Sequence, residues 1–114
     1  LNASVAGIFV SNNGRVMINR STISGHSQVG VAAAGALAAI QVNISNTTIS
    51  DNGLGVGNLV GTITIRLSNN DISFNTTAIQ GATQSHINNR LQGNESIGTA
   101  PTAIGATTNP TGLQ

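Results

Sequence analysis

Acid–base, metal or anion chemistry in this chain would have to come from very few residues: the carboxylates Asp51, Asp71 and Glu95, the imidazoles of His26 and His86, and the guanidiniums of Arg15, Arg20, Arg66 and Arg90. Acid–base cleavage of a glycosidic bond wants two carboxyl groups within several ångströms, and calcium wants about six to eight oxygen ligands. The three acids are scattered along the chain. Neither histidine has a cysteine or carboxylate cluster at metal-ligand spacing, and cysteine is absent altogether. The residues therefore predict no catalytic set, no metal site and no cofactor, and point away from an enzyme. Arg20 and Arg90 are the candidate anion contacts, because both stand near turns of the same kind; the plainer reading is that they keep the surface solvated.

What would position these side chains is a repeat. The octet Ser68-Asn69-Asn70-Asp71-Ile72-Ser73-Phe74-Asn75 falls again on Ser45-Asn46-Thr47-Thr48-Ile49-Ser50-Asp51-Asn52. It falls more loosely on residues 19–26 and on residues 87–94. The anchors Ile23, Ile49, Ile72 and Leu91 are 26, 23 and 19 residues apart, a drifting period that belongs to solenoids. Before each anchor the apolar residues alternate, as in Val16 and Ile18, Val42 and Ile44, and Ile63, Ile65 and Leu67. Period-two alternation marks a strand. After each anchor comes a short apolar segment: Val29-Gly30-Val31, Leu54-Gly55-Val56 and Ala78-Ile79.

Aligned as columns, three residues before the anchor stand Arg20, Asn46, Asn69 and Asn88, and three after it stand His26, Asn52, Asn75 and Asn94. Parallel strands about 4.8 Å apart put like side chains over one another, where stacked amides can hydrogen-bond along the axis. Two asparagine ladders are predicted, with His26 substituting in the second. The column one after the anchor, Ser24, Ser50, Ser73 and Gln92, is expected to face solvent. In this alignment no two of Asp51, Asp71 and Glu95 share a column. Valine, isoleucine, threonine, asparagine and glycine throughout argue against helix. Residues 32–39 form the one stretch where a short helix competes with a surface excursion.

With 114 residues the chain is one domain able to bury roughly two thirds of its unfolded surface. Its net charge of +1 rests on four arginines against three acids, so no basic patch and no nucleic-acid partner is implied. The longest apolar stretch, residues 29–40, is shorter than the roughly 20 residues a membrane helix needs. The coils are expected over residues 1–97. The Gly/Thr/Pro-rich residues 98–114, which hold both prolines, are expected to be a tail or cap where pairing stops. The absence of a leader-like start is expected of a mature form or of a segment of something longer.

The pattern x-Ile-x-Asn-Asn-x-Ile-x-x-Asn, followed by a short Gly-plus-Ile strand, resembles the right-handed parallel β-helix proteins of the pectate-lyase-like superfamily over roughly residues 5–97. The ending Asn88-Asn89-Arg90-Leu91-Gln92-Gly93-Asn94 is similar to the C-terminal coils of uncharacterised bacterial members. The resemblance implies an all-β solenoid of about four to five coils. It carries over no catalytic residue, because the clustered carboxylates of the family's lyases and hydrolases have no counterparts here. Solenoid ends expose strand edges, which are templates for another chain. The leading expectation is thus a non-catalytic structural solenoid, secreted or at the cell surface, that self-associates as a homo-oligomer or end-to-end filament. The alternative is a polysaccharide-binding module or a non-catalytic fragment of a larger pectate-lyase-like carbohydrate-active enzyme. Thr62-Ile63-Thr64 alone does not make an ice-binding face. Of the Asn-x-Ser/Thr sequons, those at Asn75 and Asn94 are expected to be poor glycan acceptors because they lie in a ladder.

Overall fold

The computed structural model describes residues 6–11, 14–34, 40–59 and 63–104. Among these there is no helix. The first coil comprises β1 (Ala6–Ser11), β2 (Gly14–Asn19) and β3 (Thr22–Ser24), and the second β4 (Val29–Ala34), β5 (Ile40–Ser45) and β6 (Thr48–Ser50). The third comprises β7 (Leu54–Asn58), β8 (Ile63–Ser68) and β9 (Asp71–Ser73), and the fourth β10 (Thr77–Gln80), β11 (Gln84–Ser85) and β12 (Arg90–Gln92). A partial fifth adds β13 (Ser96–Gly98) and β14 (Thr102–Ala103).

Each strand pairs with the strand three later, always in parallel, so three sheets run along one axis: β1-β4-β7-β10-β13, β2-β5-β8-β11-β14 and β3-β6-β9-β12. The chain is a parallel β-solenoid of about four turns. The anchor register is the one the spacing predicts, with Ile23 opposite Ile49, Ile49 opposite Ile72 and Ile72 opposite Leu91. Between β5 and β8 all six residues pair, from Ile40 with Ile63 to Ser45 with Ser68. Alternation then decides direction. Ile40, Val42, Ile44, Ile63, Ile65 and Leu67 point into the core, while Gln41, Asn43, Thr64 and Arg66 between them do not.

The core is a stack of like aliphatic side chains. Ile49 and Ile72 are fully buried, Ile23 nearly so, and Leu91 packs against them from the last coil. They lean on a glycine column in the first sheet. A Cβ built on Gly55 would stand 2.6 Å from the Ala78 carbonyl oxygen and 3.0 Å from Ile72 Cγ2, so only hydrogen fits where the first and third sheets meet. At the outer end of β7, Asn58 Nδ2 donates to the carbonyls of Ile63 (2.9 Å) and Ala82 (2.8 Å), tying one coil to the next across a corner.

Three expectations change in detail. Residues 32–34 continue β4 and are buried or half-buried rather than helical or looped out; residues 35–39 lie outside the described residues. Pairing continues past residue 97, since β14 pairs with β11 and Thr102 N–H donates to the Thr83 carbonyl. Proline at 101 precedes that strand, a position that requires no ladder hydrogen bond from it. Finally, Ser73 is buried although Ser24 is exposed and Ser50 half-buried in the same column.

Candidate functional site

The polar residues concentrate at the two corners that flank the short third-sheet strands. Entering them, Arg20, Asn46 and Asn69 take left-handed backbone (φ 51°, 51° and 53°); leaving them, Gly25, Asp51, Phe74 and Gly93 do the same (φ 79°, 58°, 57° and 73°). A two-residue change of direction needs that geometry, and glycine, asparagine and aspartate adopt it at least cost. Arg20 and Phe74 do so against preference. In the last coil the positive φ moves to Ile87 (67°), one residue before the column position.

The ladder after the anchors is present, buried at Asn52 and Asn75 and half-buried at Asn94. Asn52 N–H and Asn52 Nδ2 both donate to Asn75 Oδ1, at 3.0 and 3.1 Å, and Asn75 N–H and Nδ2 donate to Asn94 Oδ1, at 2.9 and 3.0 Å. Each amide also donates to a core-strand carbonyl in the coil before: Asn52 to Ile23, Asn75 to Ile49 and Asn94 to Ile72. His26 heads the column, its backbone N–H donating to Asn52 Oδ1 at 3.0 Å.

The other inner ladder lies one residue inside the predicted column. Thr47 N–H donates to Asn70 Oδ1 at 3.0 Å, Asn70 N–H and Nδ2 donate to Asn89 Oδ1 at 2.9 and 3.0 Å, and Asn70 Nδ2 reaches the Ile44 carbonyl at 2.8 Å. Asn46, Asn69 and Asn88 instead form an exposed or half-buried outer chain. Asn69 Nδ2 donates to Asn46 Oδ1 (2.7 Å), Asn46 Nδ2 donates to Asn19 Oδ1 (3.1 Å), and Asn69 N–H donates to Asn88 Oδ1 (2.8 Å). The signal for two chains was the doublets Asn69-Asn70 and Asn88-Asn89: at a sharp corner one amide faces out and the next faces in.

The candidate anion contacts are not brought together. Arg20 precedes β3 and Arg90 opens β12, three strand steps apart, about 14 Å at roughly 4.8 Å per step. Arg90 instead stands over Asp71, its register partner, with Nη2 3.8 Å from Asp71 Oδ2. Outside this corner lies a shallow cleft of about 220 Å³ lined by Asn46, Thr47, Thr48, Asn69, Asp71 and Arg90. Asp71 Oδ1 is buried there without a hydrogen-bond donor among the described residues.

Asp51 sits at the exit corner, and Glu95 follows Asn94 on the far side of the third sheet's last strand. Among the described residues no group of three or more histidine, aspartate or glutamate side chains could hold a metal. His86 N–H donates to the Leu67 carbonyl at 3.1 Å. No helix among the described residues is long and apolar enough to cross a membrane. Compared with known proteins, the chain matches no family model, no curated protein and no solved structure.

Proposed function

We propose that this chain is a non-catalytic structural solenoid that works outside the cell or on a cell surface by associating end to end with copies of itself. The observation that supports the reading is the ladder system. Amides hydrogen-bonded through successive coils make a stiff column whose sheets end, among the described residues, in β1, β2 and β3 on one side and β12, β13 and β14 on the other. Parallel edges of this kind offer backbone donors and acceptors to an incoming strand. A head-to-tail contact that does not close on itself generates a filament. The repeat pattern and the three parallel sheets are in keeping with a pectate-lyase-like β-helix relationship.

Negative-stain electron microscopy at several concentrations, with sedimentation velocity on the same samples, tests this. Rods one solenoid wide that lengthen with concentration are expected. A single monomeric species throughout would remove the proposal.

The second reading is a polysaccharide-binding module, or a non-catalytic portion of a larger pectate-lyase-like enzyme. Its support is the outward face of β2-β5-β8, where Gln41 and Thr64, Asn43 and Arg66, and Ser45 and Ser68 form rows of hydrogen-bonding groups in register. Such rows repeat at about the inter-strand spacing of 4.8 Å.

A further inference from the structure

We infer that two copies of this chain join head to tail through one shared coil, in which residues 1–5 of the second copy supply the third-sheet strand that follows β13 and β14 of the first. This junction rests on the end-to-end reading proposed above and gives it a register.

The last coil leaves the place open. β13 and β14 continue the first and second sheets, whereas the third sheet ends, among the described residues, at β12. Ile18, Ile44, Leu67 and Ser85 face one another in the second sheet, and in each coil the anchor follows five or six residues later. Counted from Ala103, which pairs with Ser85, the same step falls on Thr108 or Asn109, with Pro110 next. A polar side chain is costly at an aliphatic core position, and proline gives a ladder no N–H.

The open end is also apolar. Cβ atoms built on Gly7, Gly30 and Gly55 would meet the anchors of their own coils, Ile23, Ile49 and Ile72. Ala78 and then Ile97 continue this column in the register of β7, β10 and β13. The coil of Ile97 has no anchor among the described residues, and Ile97 stays 49% exposed, with Leu91 of the coil before only half-buried.

Residues 1–5 lie outside the described residues, but their sequence carries the missing pattern. Leu1 stands six residues before Gly7, as Ile49 stands before Gly55, Ile72 before Ala78 and Leu91 before Ile97. Ser4, three after Leu1, falls in the ladder column of Asn52, Asn75 and Asn94. Set over β12 of another copy, Leu1 covers Leu91 beside Ile97. The Ser4 hydroxyl then accepts from the Asn94 N–H, the role that Asn94 Oδ1 plays for Asn75. The backbone has acceptors in step: Thr48, Asp71 and Arg90 N–H donate to the carbonyls of Ser21, Thr47 and Asn70, and Thr76 and Glu95 N–H to those of Asn52 and Asn75. The carbonyls of Asn89 and Asn94 come next in these series. β1 of the second copy follows β13, with Ala6 facing Ser96 and Ile8 facing Gly98, and β2 follows β14. No strand is missing or doubled, so the contact repeats along the axis instead of closing.

Disulfide trapping tests the junction in a chain that has no cysteine of its own. Facing residues on neighbouring parallel strands lie about 4.8 Å apart, within the roughly 4.4–6.8 Å that a disulfide spans between Cα atoms. Asn2→Cys and Gln92→Cys face each other across the junction. Purified separately and mixed under mild oxidation, they are expected to give a cross-linked pair, identified by mass spectrometry of the joined peptides. Asn2→Cys mixed with Thr64→Cys, on the outward side of β8, is expected to give none. Ile97→Asp puts a charge into the contact and is expected to raise the concentration at which rods form by about tenfold or more in sedimentation velocity, with its urea transition recorded to show that it folds. Rods that form without the Asn2→Cys to Gln92→Cys cross-link, or rods unaffected by Ile97→Asp, would overturn this junction and leave end-to-end association standing. A disulfide within single chains carrying Gln92→Cys and Pro110→Cys would overturn it too, by giving the place to residues 105–114. Monomers at every concentration would remove both the junction and the end-to-end reading.

Discussion

Replacing Asn75 with alanine separates a ladder that holds the coils together from one that merely decorates them. Asn75 is 1% exposed, and its side chain takes part in four hydrogen bonds: it accepts from Asn52 N–H and Asn52 Nδ2, and donates to the Ile49 carbonyl and Asn94 Oδ1. Asn52 Nδ2 keeps a second acceptor, the Ile23 carbonyl at 3.2 Å, but Asn52 N–H keeps none among the described residues. At about 1 kcal/mol for each bond lost, with the orphaned N–H costing about 1–3 kcal/mol by itself, Asn75→Ala should destabilise the solenoid by about 4 kcal/mol. That is a large share of the roughly 5–15 kcal/mol that holds a domain folded.

The control is Asn46→Ala in the exposed outer chain, where water replaces the lost partners and the cost should stay at about 1 kcal/mol, set by placing alanine in left-handed backbone (φ 51°). Urea unfolding followed by circular dichroism, with both variants and the parent fitted by linear extrapolation, gives the comparison. Equal losses for Asn46→Ala and Asn75→Ala would refute the argument that burial, rather than amide stacking as such, makes the ladder matter.

Other perturbations follow from the same geometry. Ile49→Asp or Ile72→Asp places an unpaired charge among fully buried aliphatics and should cost several kcal/mol, read as loss of the urea transition; unchanged stability would sink the register. Gly55→Ala puts a methyl 2.6 Å from the Ala78 carbonyl and should cost about 1–3 kcal/mol by overpacking, measured in the same assay; a neutral result would mean that the first and third sheets can separate freely. Phe74→Asn relieves left-handed backbone (φ 57°) at an exposed corner and should raise the thermal midpoint, with a gain of up to about 1 kcal/mol; a lowered midpoint would show that the ring's packing over Gly93 outweighs the strain.

Much of the architecture was legible because a solenoid repeats its local rules. The anchors at 23, 49, 72 and 91 come into register as their spacing implies, and the alternating Val and Ile segments become the inward faces of β2, β5 and β8. The ladder through Asn52, Asn75 and Asn94 was equally readable, because those residues recur at a fixed offset from the anchors. Less visible was the inner column of Asn70 and Asn89. Its coil-two member is Thr47, so the column lacks a constant residue type, and only the corner's left-handed turn at Asn46 and Asn69 sets which of two neighbours points inward.

Residue type and period determine the element type, the pairing partner and the buried aliphatics of this protein, since those follow from local alternation and from stacking like on like. Which of two neighbouring amides turns inward, and how closely polar side chains in one column approach, was decided only by the tertiary structure. Arg20 and Arg90 lie near similar turns but end three strand steps apart, while Arg90 and Asp71, 19 residues apart in the chain, stand on adjacent strands at 3.8 Å. Arg90 and Asp71 each stand one residue before an anchor, so the anchor register puts them in one column, and the fold adds the side-chain approach that sets a guanidinium beside a carboxylate at the edge of the cleft.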